Sequence, residues 1–559
     1  MIRVTKEGVI LRKTDFDFEN ESVLNPAIIR EGDSLYLFYR AVRKGNYSSI
    51  GFCKLDGPLT VKERFDIPIM IPEFEYESHG IEDPRIVKID DLYYMTYVAY
   101  NGTNALGALA ISKDLKHFEK QGLIVPEIRI NEFTAIVQPM DKVTNKYFTM
   151  NVGSGFLMNK DVVFFPRRIN NKLYFMHRIK PEIQLVSVNS LQELTKEFWE
   201  NYFNHFDENI MLKPRYSQEL SYIGAGCPPI ETNEGWLLIY HGVYGISGKY
   251  TYSVRVALLD LEDPRKVIAH LPYQLFKPAN DYELSGIVNK VCFPTGTALF
   301  GDTLYIYYGA ADQCIACASL SLSSLLGELV NVKIQNKKAC SIKIKSIQHL
   351  THNVLKIVTE KPPAFDFYPG QAAEISINKN GWENELRPFT FTSLPNENHL
   401  EFTIKTYPSH KGVTKQLLKL VENDEFILHE VFGTITYKGE GVFIAGGAGV
   451  TPFICIFRYL KSINKIGNNV LIFANRTKAD IILQQELKNL LGKNFINILS
   501  QDKVLGYAQG RITKQFLKAN VSDFSKKFYL CGPESMIDNV EKQLYDLGVN
   551  EKSIVKEEF

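Results

Sequence analysis

The stretch Gly80-Ile81-Glu82-Asp83-Pro84-Arg85-Ile86 sets an acid and a cation two residues apart. In an extended segment those two side chains leave the same face, so Asp83 and Arg85 are aimed at one spot. Such a pair can move a proton and hold a polar molecule beside it. Pro84 supplies no backbone N–H and therefore belongs at the start of a strand or on an edge, where a missing ladder bond does no harm. Taken alone, the stretch also reads as a surface Asp-Pro turn with a salt bridge. A second chemical signal lies far along the chain. Val442-Phe-Ile-Ala445 reads as a buried strand, Gly446-Gly-Ala-Gly449-Val-Thr451-Pro452 as a glycine-rich loop, and the residues after it as a helix with Pro at its first position. Backbone N–H groups and a helix N-terminus can receive a pyrophosphate there, although the final Pro departs from the full G-x-G-x-x-G fingerprint.

The surroundings of Asp83 repeat. A Pro with apolar neighbours, a polar or Gly turn and a strand of alternating aromatics recur five times before residue 328. The copies run Asn25-Pro26 to Tyr39-Arg40, Asp83-Pro84 to Tyr97, Phe165-Pro166 to His177-Arg178, Pro228-Pro229 to Tyr240-His241, and Phe293-Pro294 to Tyr308. Their turns are Gly32-Asp33, Asp90-Asp91, Asn170-Asn171, Glu234-Gly235 and Gly301-Asp302. A period of about 60 to 80 residues is long for a solenoid and suits one blade of about four strands. A five-bladed β-propeller follows, and its innermost strands bring Asn25, Arg40, Asp83, Arg85, Arg178 and His241 around one funnel.

The chain of 559 residues is too long for one core, and its net charge of +1 gives no whole-chain argument for nucleic acid. No stretch approaches the roughly 20 apolar residues of a membrane span, and the N-terminus has no apolar signal-peptide core. The chain reads as soluble and cytoplasmic, with no membrane partner. Eight cysteines without framework spacing fit a reducing compartment, and Cys314-Ile-Ala-Cys317 reads as two core thiols rather than a metal site.

The five-fold pattern stops near residue 326. The reading divides the chain into a propeller over 1–328, a short polar linker over 329–338, a small antiparallel β-barrel over 339–438 and a doubly wound α/β domain over 439–559. The barrel follows from short, evenly spaced strands with turn residues between them. The α/β domain follows from strands alternating with helices, as at Val470-Leu-Ile-Phe-Ala474 and Lys527-Phe-Tyr-Leu-Cys531.

GIEDPRI, the run Asn159 to Arg178, the run Ile223 to Val243 and the segment Tyr307 to Asp312 resemble the β-mannoside phosphorylases of glycoside hydrolase family 130, over roughly residues 20 to 325. The resemblance implies inverting phosphorolysis of β-mannosides to α-mannose 1-phosphate, with inorganic phosphate as nucleophile. Asp83 matches the catalytic acid, thought to act through the mannose 3-hydroxyl. Lys160, Arg178, His241 and Tyr250 fall on phosphate-binding positions, and Asn25, Arg40, Arg85 and Asp312 on the mannose subsite. Lys160 stands where some members have Arg, which keeps the charge and loses bidentate geometry. Tyr252 reads as a core aromatic. A β-mannoside hydrolase and a sugar-binding propeller attached to a redox enzyme are the alternatives.

Residues 340 to 559 resemble the ferredoxin-NADP reductase superfamily through Arg387-Pro-Phe-Thr390, Pro369-Gly370-Gln371, the glycine-rich loop and Cys531-Gly532-Pro533. Carried over, Arg387 pairs with an FAD phosphate and Thr390 sits near the flavin N5. Gly412, Val413 and Thr414 meet the pyrophosphate. Phe389 replaces a usual Tyr and stacks on the flavin without a hydroxyl, which leaves FMN open beside FAD. Gly447, Gly449, Thr451 and Pro452 face NADPH or NADH, with Cys531 and Gly532 near the nicotinamide, while Arg476 is a candidate for a 2′-phosphate. The cysteines lack iron–sulfur spacing, so a ferredoxin- or flavodoxin-type electron partner is expected and no metal is assigned to this chain. Oligomeric state is not legible.

Overall fold

The computed structural model describes residues 2–556 apart from 141–142, 144, 153–154, 215–218, 220, 247–248, 272, 337–339, 364 and 434. Two compact units divide the chain, Met1–Ile334 and Gln335–Phe559. No helix among the described residues is long and apolar enough to cross a membrane.

Among the described residues the first unit is a β-propeller of five blades, the first two joined in one eight-stranded sheet by a single parallel bridge from Ser48 to Gly80. Their inner strands are Ser22–Glu31, Gly80–Ile89, Lys160–Phe164, Tyr222–Ala225 continued by Ile230–Thr232, and Cys292–Phe300. The second strands are Ser34–Arg43, Leu92–Tyr100, Leu173–Arg178, Gly235–Ile246 and Thr303–Ala310, so each expected turn lies between the strands it was read to join. Asp90, Asn170, Asn171 and Gly301 take left-handed conformations there, which Asn, Asp and Gly adopt most readily. The last blade is completed by the N-terminal strand Thr5–Leu11, which pairs antiparallel with Cys314–Ser321. That closure removes an open edge, and no local pattern announces it.

The prolines are less uniform than the repeat suggests. Pro26, Pro84 and Pro294 sit inside inner strands at register shifts. Pro166 follows its strand, and Pro228 and Pro229 fill the break in the fourth inner strand. Bulges tolerate a residue without an N–H as well as edges do. Ile130–Val137 and Lys196–Asn204 are helices whose buried Phe133, Trp199, Tyr202 and Phe203 join one core cluster with the second and third blades, an insertion the five-fold reading did not anticipate.

A buried polar clasp recurs in four blades. Tyr39, Tyr97, Tyr240 and Tyr308, each on a second strand, donate to Glu19, Glu77, Glu219 and Glu283 at 2.6, 2.7, 2.8 and 2.7 Å. Each Glu lies in the segment entering its blade and is fully buried. Arg64, Lys120, Arg255 and Lys6 complete the clasps from other strands at 2.9, 2.6, 2.9 and 2.5 Å. In the third blade the position is His177, bonded to Asn159 and Tyr202 and pushed down to about 3 by burial. Breaking a buried pair strands the surviving charge, at a cost of about 3–5 kcal/mol. Glu77→Ala, which leaves the nearly inaccessible Lys120 with only the Ile71 carbonyl at 2.6 Å and the exposed Glu73 at 3.8 Å among the described residues, should therefore lower propeller stability toward the low end of that range in urea titration followed by tryptophan fluorescence. A loss under about 1 kcal/mol would mean that the clasp is not cooperative with the fold.

The expected linker is largely helix. Leu322–Asn336 is helical, and residues 337–338 lie outside the described ones. Asp302 receives the amide of Ser323 at 2.8 Å, and Leu325, Leu329 and Val332, at helical spacing, pack into the core of the last two blades. The polar residues between them make the stretch look like a linker.

The second unit begins with a six-stranded antiparallel barrel-like sheet in the order Arg387–Thr390, Ala372–Ile377, Glu425–Phe432, Cys340–Thr351, Val354–Glu360, His399–Lys405. A bridge from Phe391 to Phe402 brings its two ends together. A six-stranded parallel sheet follows, in the order Ala508–Gln509, Phe495–Leu499, Val470–Asn475, Gly441–Gly446, Lys527–Cys531, Ile554–Lys556. Strand order reverses between Gly441–Gly446 and Lys527–Cys531. In such sheets the crevice beyond the carboxyl ends at the reversal receives ligands.

Candidate functional site

Asn25, Asp83 and Asp161 occupy one structural position in three inner strands. Each has a positive φ, of 50°, 49° and 54°, and each lies in a register shift of its strand. Such a bulge re-aims a side chain, and Asn and Asp tolerate the conformation. Asp312 reaches the same funnel from the turn after Thr303–Ala310, with φ of 51°. Because the bulge falls between Glu82 and Arg85, the simple alternation expected of Asp83 and Arg85 fails. Arg85 donates to the Asp83 backbone carbonyl at 2.7 Å and to the carbonyls of Gly226 and Ala225 at 3.1 and 3.5 Å. Its guanidinium, 2 % exposed and 5.3 Å from the Phe293 ring centroid, ties the second blade to the fourth.

One side of the funnel is acidic. Asn25 donates to Asp83 Oδ1 at 2.6 Å, and Arg40 lies 3.7 Å from the same oxygen. Both contacts fall on Oδ1. Arg40 also pairs with Glu82 at 2.5 Å and bonds Ser48 at 2.9 Å. Burial pushes the Glu82 carboxyl up, against the pull of Arg40. It also pushes Asp312 up to about 6, with Asp83 and Glu82 adding to the shift and Arg40 opposing it. Three carboxylates thus surround one guanidinium.

The other side is cationic. Lys160 and Arg178 are register partners in the third blade. Arg178 Nε sits 3.0 Å from Asp161 Oδ2, an ion pair without hydrogen-bond alignment. Its Nη1 approaches His241 Nε2 at 3.3 Å. Burial holds His241 well below the usual imidazole range, so the ring is neutral. With Nε2 accepting from Arg178, the ring proton rests on Nδ1, which is buried and has no partner among the described residues. Burial would raise Asp161, but the cations Arg178, Arg85 and Lys160 hold it down to about 2. Gly224 makes this packing possible, since a Cβ there would stand 2.4 Å from the His241 ring and 2.5 Å from Asp161 Oδ2. Tyr250 packs edge-on against Tyr222 at 6.2 Å, and the Arg178 guanidinium lies 5.0 Å from the Tyr222 centroid. Tyr252, read as a core aromatic, bonds the Tyr222 hydroxyl and lies 6.0 Å from the His241 ring.

Glu82, Asp161 and Tyr222 were therefore missed in the sequence. For Asp161 a signal existed, because Asn159-Lys160-Asp161 presents an acidic residue at the bulge position that Asn25 and Asp83 occupy in their own strands.

In the second unit the expected residues divide between the barrel and the sheet. Arg387 is half-buried, and its side chain donates to the Leu386 carbonyl at 2.6 Å and lies 3.8 Å from Glu385. Thr390 pairs across to Ala372. Phe389 is 7 % exposed and belongs to the barrel core. Gly412, with φ of 149° and open space above it, precedes the short helix Val413–Gln416, in which Val413 is buried and Thr414 half-buried. Gly447 to Val450 form a tight turn ahead of the helix Thr451–Ser462, so that helix starts one residue before Pro452. Thr451 and Pro452 are buried and the Thr451 hydroxyl is bound to the Ala448 carbonyl, so this segment offers its backbone rather than its side chains. Gly449 and Cys531-Gly532 meet across the strand reversal, where a Cβ on Gly449 would stand 2.3 Å from the Cys531 carbonyl oxygen. Asn475, at the carboxyl end of the neighbouring strand, buries both polar atoms of its amide without a partner among the described residues. A glycine cradle, a helix N-terminus and an orphaned amide at one crevice fit a dinucleotide. Arg476 is exposed.

Residues 6–331 match the family model described as beta-1,4-mannooligosaccharide phosphorylase. Residues 339–446 match an FAD-binding domain and residues 443–542 an oxidoreductase NAD-binding domain. Among curated proteins, the chain is 32 % identical over 333 residues to a 1,2-beta-oligomannan phosphorylase of Thermoanaerobacter sp. (strain X514), covering 58 % of this chain and 98 % of that protein. It is 32 % identical over 334 residues to a beta-1,2-mannobiose phosphorylase of the same strain, covering 57 % and 96 %. The chain is also 25 % identical over 297 residues to the electron transfer component of the xylene/toluene monooxygenase of Pseudomonas putida, covering 49 % of this chain and 80 % of that protein.

Proposed function

We propose, on the premise that over residues 6–331 this chain belongs to the beta-1,4-mannooligosaccharide phosphorylase family, glycoside hydrolase family 130, that its first unit phosphorolyses β-mannosides and its second is a flavin-dependent NAD(P)H oxidoreductase. The observation that carries the first half is the division of the funnel into an acidic side around Asp83 and a cationic side around Arg178. In the reaction, a phosphate oxygen forms a bond to the mannose anomeric carbon as the glycosidic C–O bond breaks. Asp83 passes a proton to the departing oxygen and is restored by the proton of hydrogenphosphate, giving α-mannose 1-phosphate by inversion. Asn25, Arg40 and Asp312 hold the sugar. Lys160, Arg178, His241 through Nδ1–H, and Tyr250 hold the phosphate. Arg85, bonded throughout to backbone carbonyls, acts as a strut that shapes the sugar pocket.

The hydrolytic alternative needs a carboxylate opposite the acid to activate water. Asp161 stands on that side, but its carboxylate is engaged by Arg178 at 3.0 Å, which holds it below the usual carboxylate range and makes it a poor base. The two Thermoanaerobacter relatives carry β-1,2 linkages in their names, which supports β-1,2-mannosides as the substrates over β-1,4. Incubating the protein with mannobioses of both linkages, with and without phosphate, tests the reading. Mannose 1-phosphate formed only with phosphate is the expected product, and free mannose formed equally in its absence would overturn it. Arg178→Ala should raise the KM for phosphate at least about ten-fold more than the KM for mannoside, because it removes a charge-assisted contact to one substrate. Equal weakening toward both would assign Arg178 a structural role.

The second unit binds FAD and NAD(P)H. Arg387 and the start of the helix at Val413 are suited to the flavin phosphates, and the crevice beside Gly449 and Cys531 to the nicotinamide dinucleotide. A flavin held there would supply a hydride acceptor for the nicotinamide and a one-electron donor for an acceptor protein. A ferredoxin- or flavodoxin-type protein is the proposed acceptor, consistent with the likeness to a monooxygenase electron transfer component. The full chain should purify yellow and oxidise NADH or NADPH with an artificial one-electron acceptor. A colourless protein that takes up neither FAD nor FMN would defeat this half.

A further inference from the structure

The cationic side of the funnel holds one more positive charge than these roles use. Lys180 follows the strand Leu173–Arg178 and is half-buried. Its ammonium lies 4.2 Å from the centroid of the Tyr222 ring, the same ring that Arg178 faces at 5.0 Å. The Tyr222 hydroxyl is bonded to Tyr252, which fixes the ring as a platform for both cations. Asp161 is the carboxylate of this group, and its ion-pair partner is Arg178. Lys180 makes no ion pair with any carboxylate among the described residues. A ring face offsets only part of the cost of drawing an ammonium out of water. A pocket that gathers Lys160, Arg178 and Lys180 about one carboxylate is incomplete without an anion.

We propose that Lys180 is a further phosphate-binding residue, its ammonium presented from the face of Tyr222 beside Arg178. The inference rests on phosphorolysis as the reaction and adds to it a ligand that no motif indicated.

The electrostatics agree with this placement. Burial, with Arg178 and Lys160 beside it, pushes Lys180 down to about 7, and Asp161 offsets part of that shift. Tyr222 remains protonated, since burial pushes its hydroxyl up, so it contributes a ring and no charge. Lys180 is therefore charged below about pH 7 and neutral above it. Its help to phosphate should fade as pH rises through that range.

The test compares wild type, Lys180→Met and Lys180→Arg in steady-state phosphorolysis. Lys180→Met should raise the KM for phosphate about ten-fold, leave the KM for mannoside within about two-fold, and be largely rescued by Lys180→Arg. The titration of phosphate itself is common to all three proteins. The ratio of wild-type to Lys180→Arg efficiency toward phosphate should therefore fall above pH 7. An unchanged phosphate KM in Lys180→Met, or equal rises for both substrates, would overturn the proposal. Calorimetric titration with inorganic phosphate separates the two levels of inference. If wild type and Lys180→Met bind phosphate equally, only the role of Lys180 fails. If wild type neither binds nor consumes phosphate, phosphorolysis fails and Lys180 with it.

Discussion

Asp83→Asn is expected to lower phosphorolysis of a natural β-mannoside by about 10² or more, the usual cost of losing a general acid. The substitution is isosteric, and Asn is among the few residues that accept the left-handed conformation Asp83 adopts, so the bulge should survive. Asn25 and Arg40, which contact Oδ1, can turn to the amide oxygen with little movement. What disappears is the transferable proton. A mannoside with a nitrophenol leaving group, which departs without protonation, should lose much less. Near-normal turnover of the natural substrate would remove Asp83 from its role. Equal losses on both substrates would point instead to damaged sugar binding.

Gly449→Ala is expected to slow reduction of the bound flavin by NADH or NADPH by about 10², while flavin content stays unchanged. The added Cβ would stand 2.3 Å from the Cys531 carbonyl oxygen, 2.5 Å from its carbon and 2.6 Å from Gly532 Cα. All three are backbone atoms at the strand reversal, so no side chain can swing away, and the loop and the strand end must part. A displacement of about 1 Å in a hydride-transfer site is enough for such a loss. Anaerobic stopped-flow mixing reads the step directly. A wild-type rate of reduction would mean that the dinucleotide does not use this crevice.

Much of the architecture was legible because strands and turns are local. Leu35-Tyr-Leu-Phe-Tyr39 and its four counterparts alternate with the period of a strand, and Asn170-Asn171 or Gly301-Asp302 supply left-handed turn residues. The same locality revealed the glycine loop at Gly446 and the acid at Asp83. Arg40, Arg178 and His241 were found because each ends an aromatic strand of the repeat, as Tyr39-Arg40, His177-Arg178 and Tyr240-His241. The Glu six residues before the bulge position, at Glu19 and Glu77, was equally present but silent, since nothing local tells a buried clasp from a surface carboxylate.

Pairing across the propeller belonged to the tertiary structure. Alternation predicts that Asp83 and Arg85 share a face, but the bulge between Glu82 and Arg85 sends the guanidinium to Ala225 and Gly226, 140 and 141 residues away. Burial made Asp161 a counter-ion, buried Phe389 in the barrel core, and turned the polar stretch after residue 326 into a helix packed on the last blades. The closing strand Thr5–Leu11 meets its partner some 300 residues later. The sequence by itself determined the strands and turns of the repeat and most of the residue types that reach the funnel, because period and turn chemistry act over a few residues. Which charges meet there, which are neutralised and which are left to hold an anion was decided only by folding, because those energies depend on distance and desolvation between segments the chain order keeps apart.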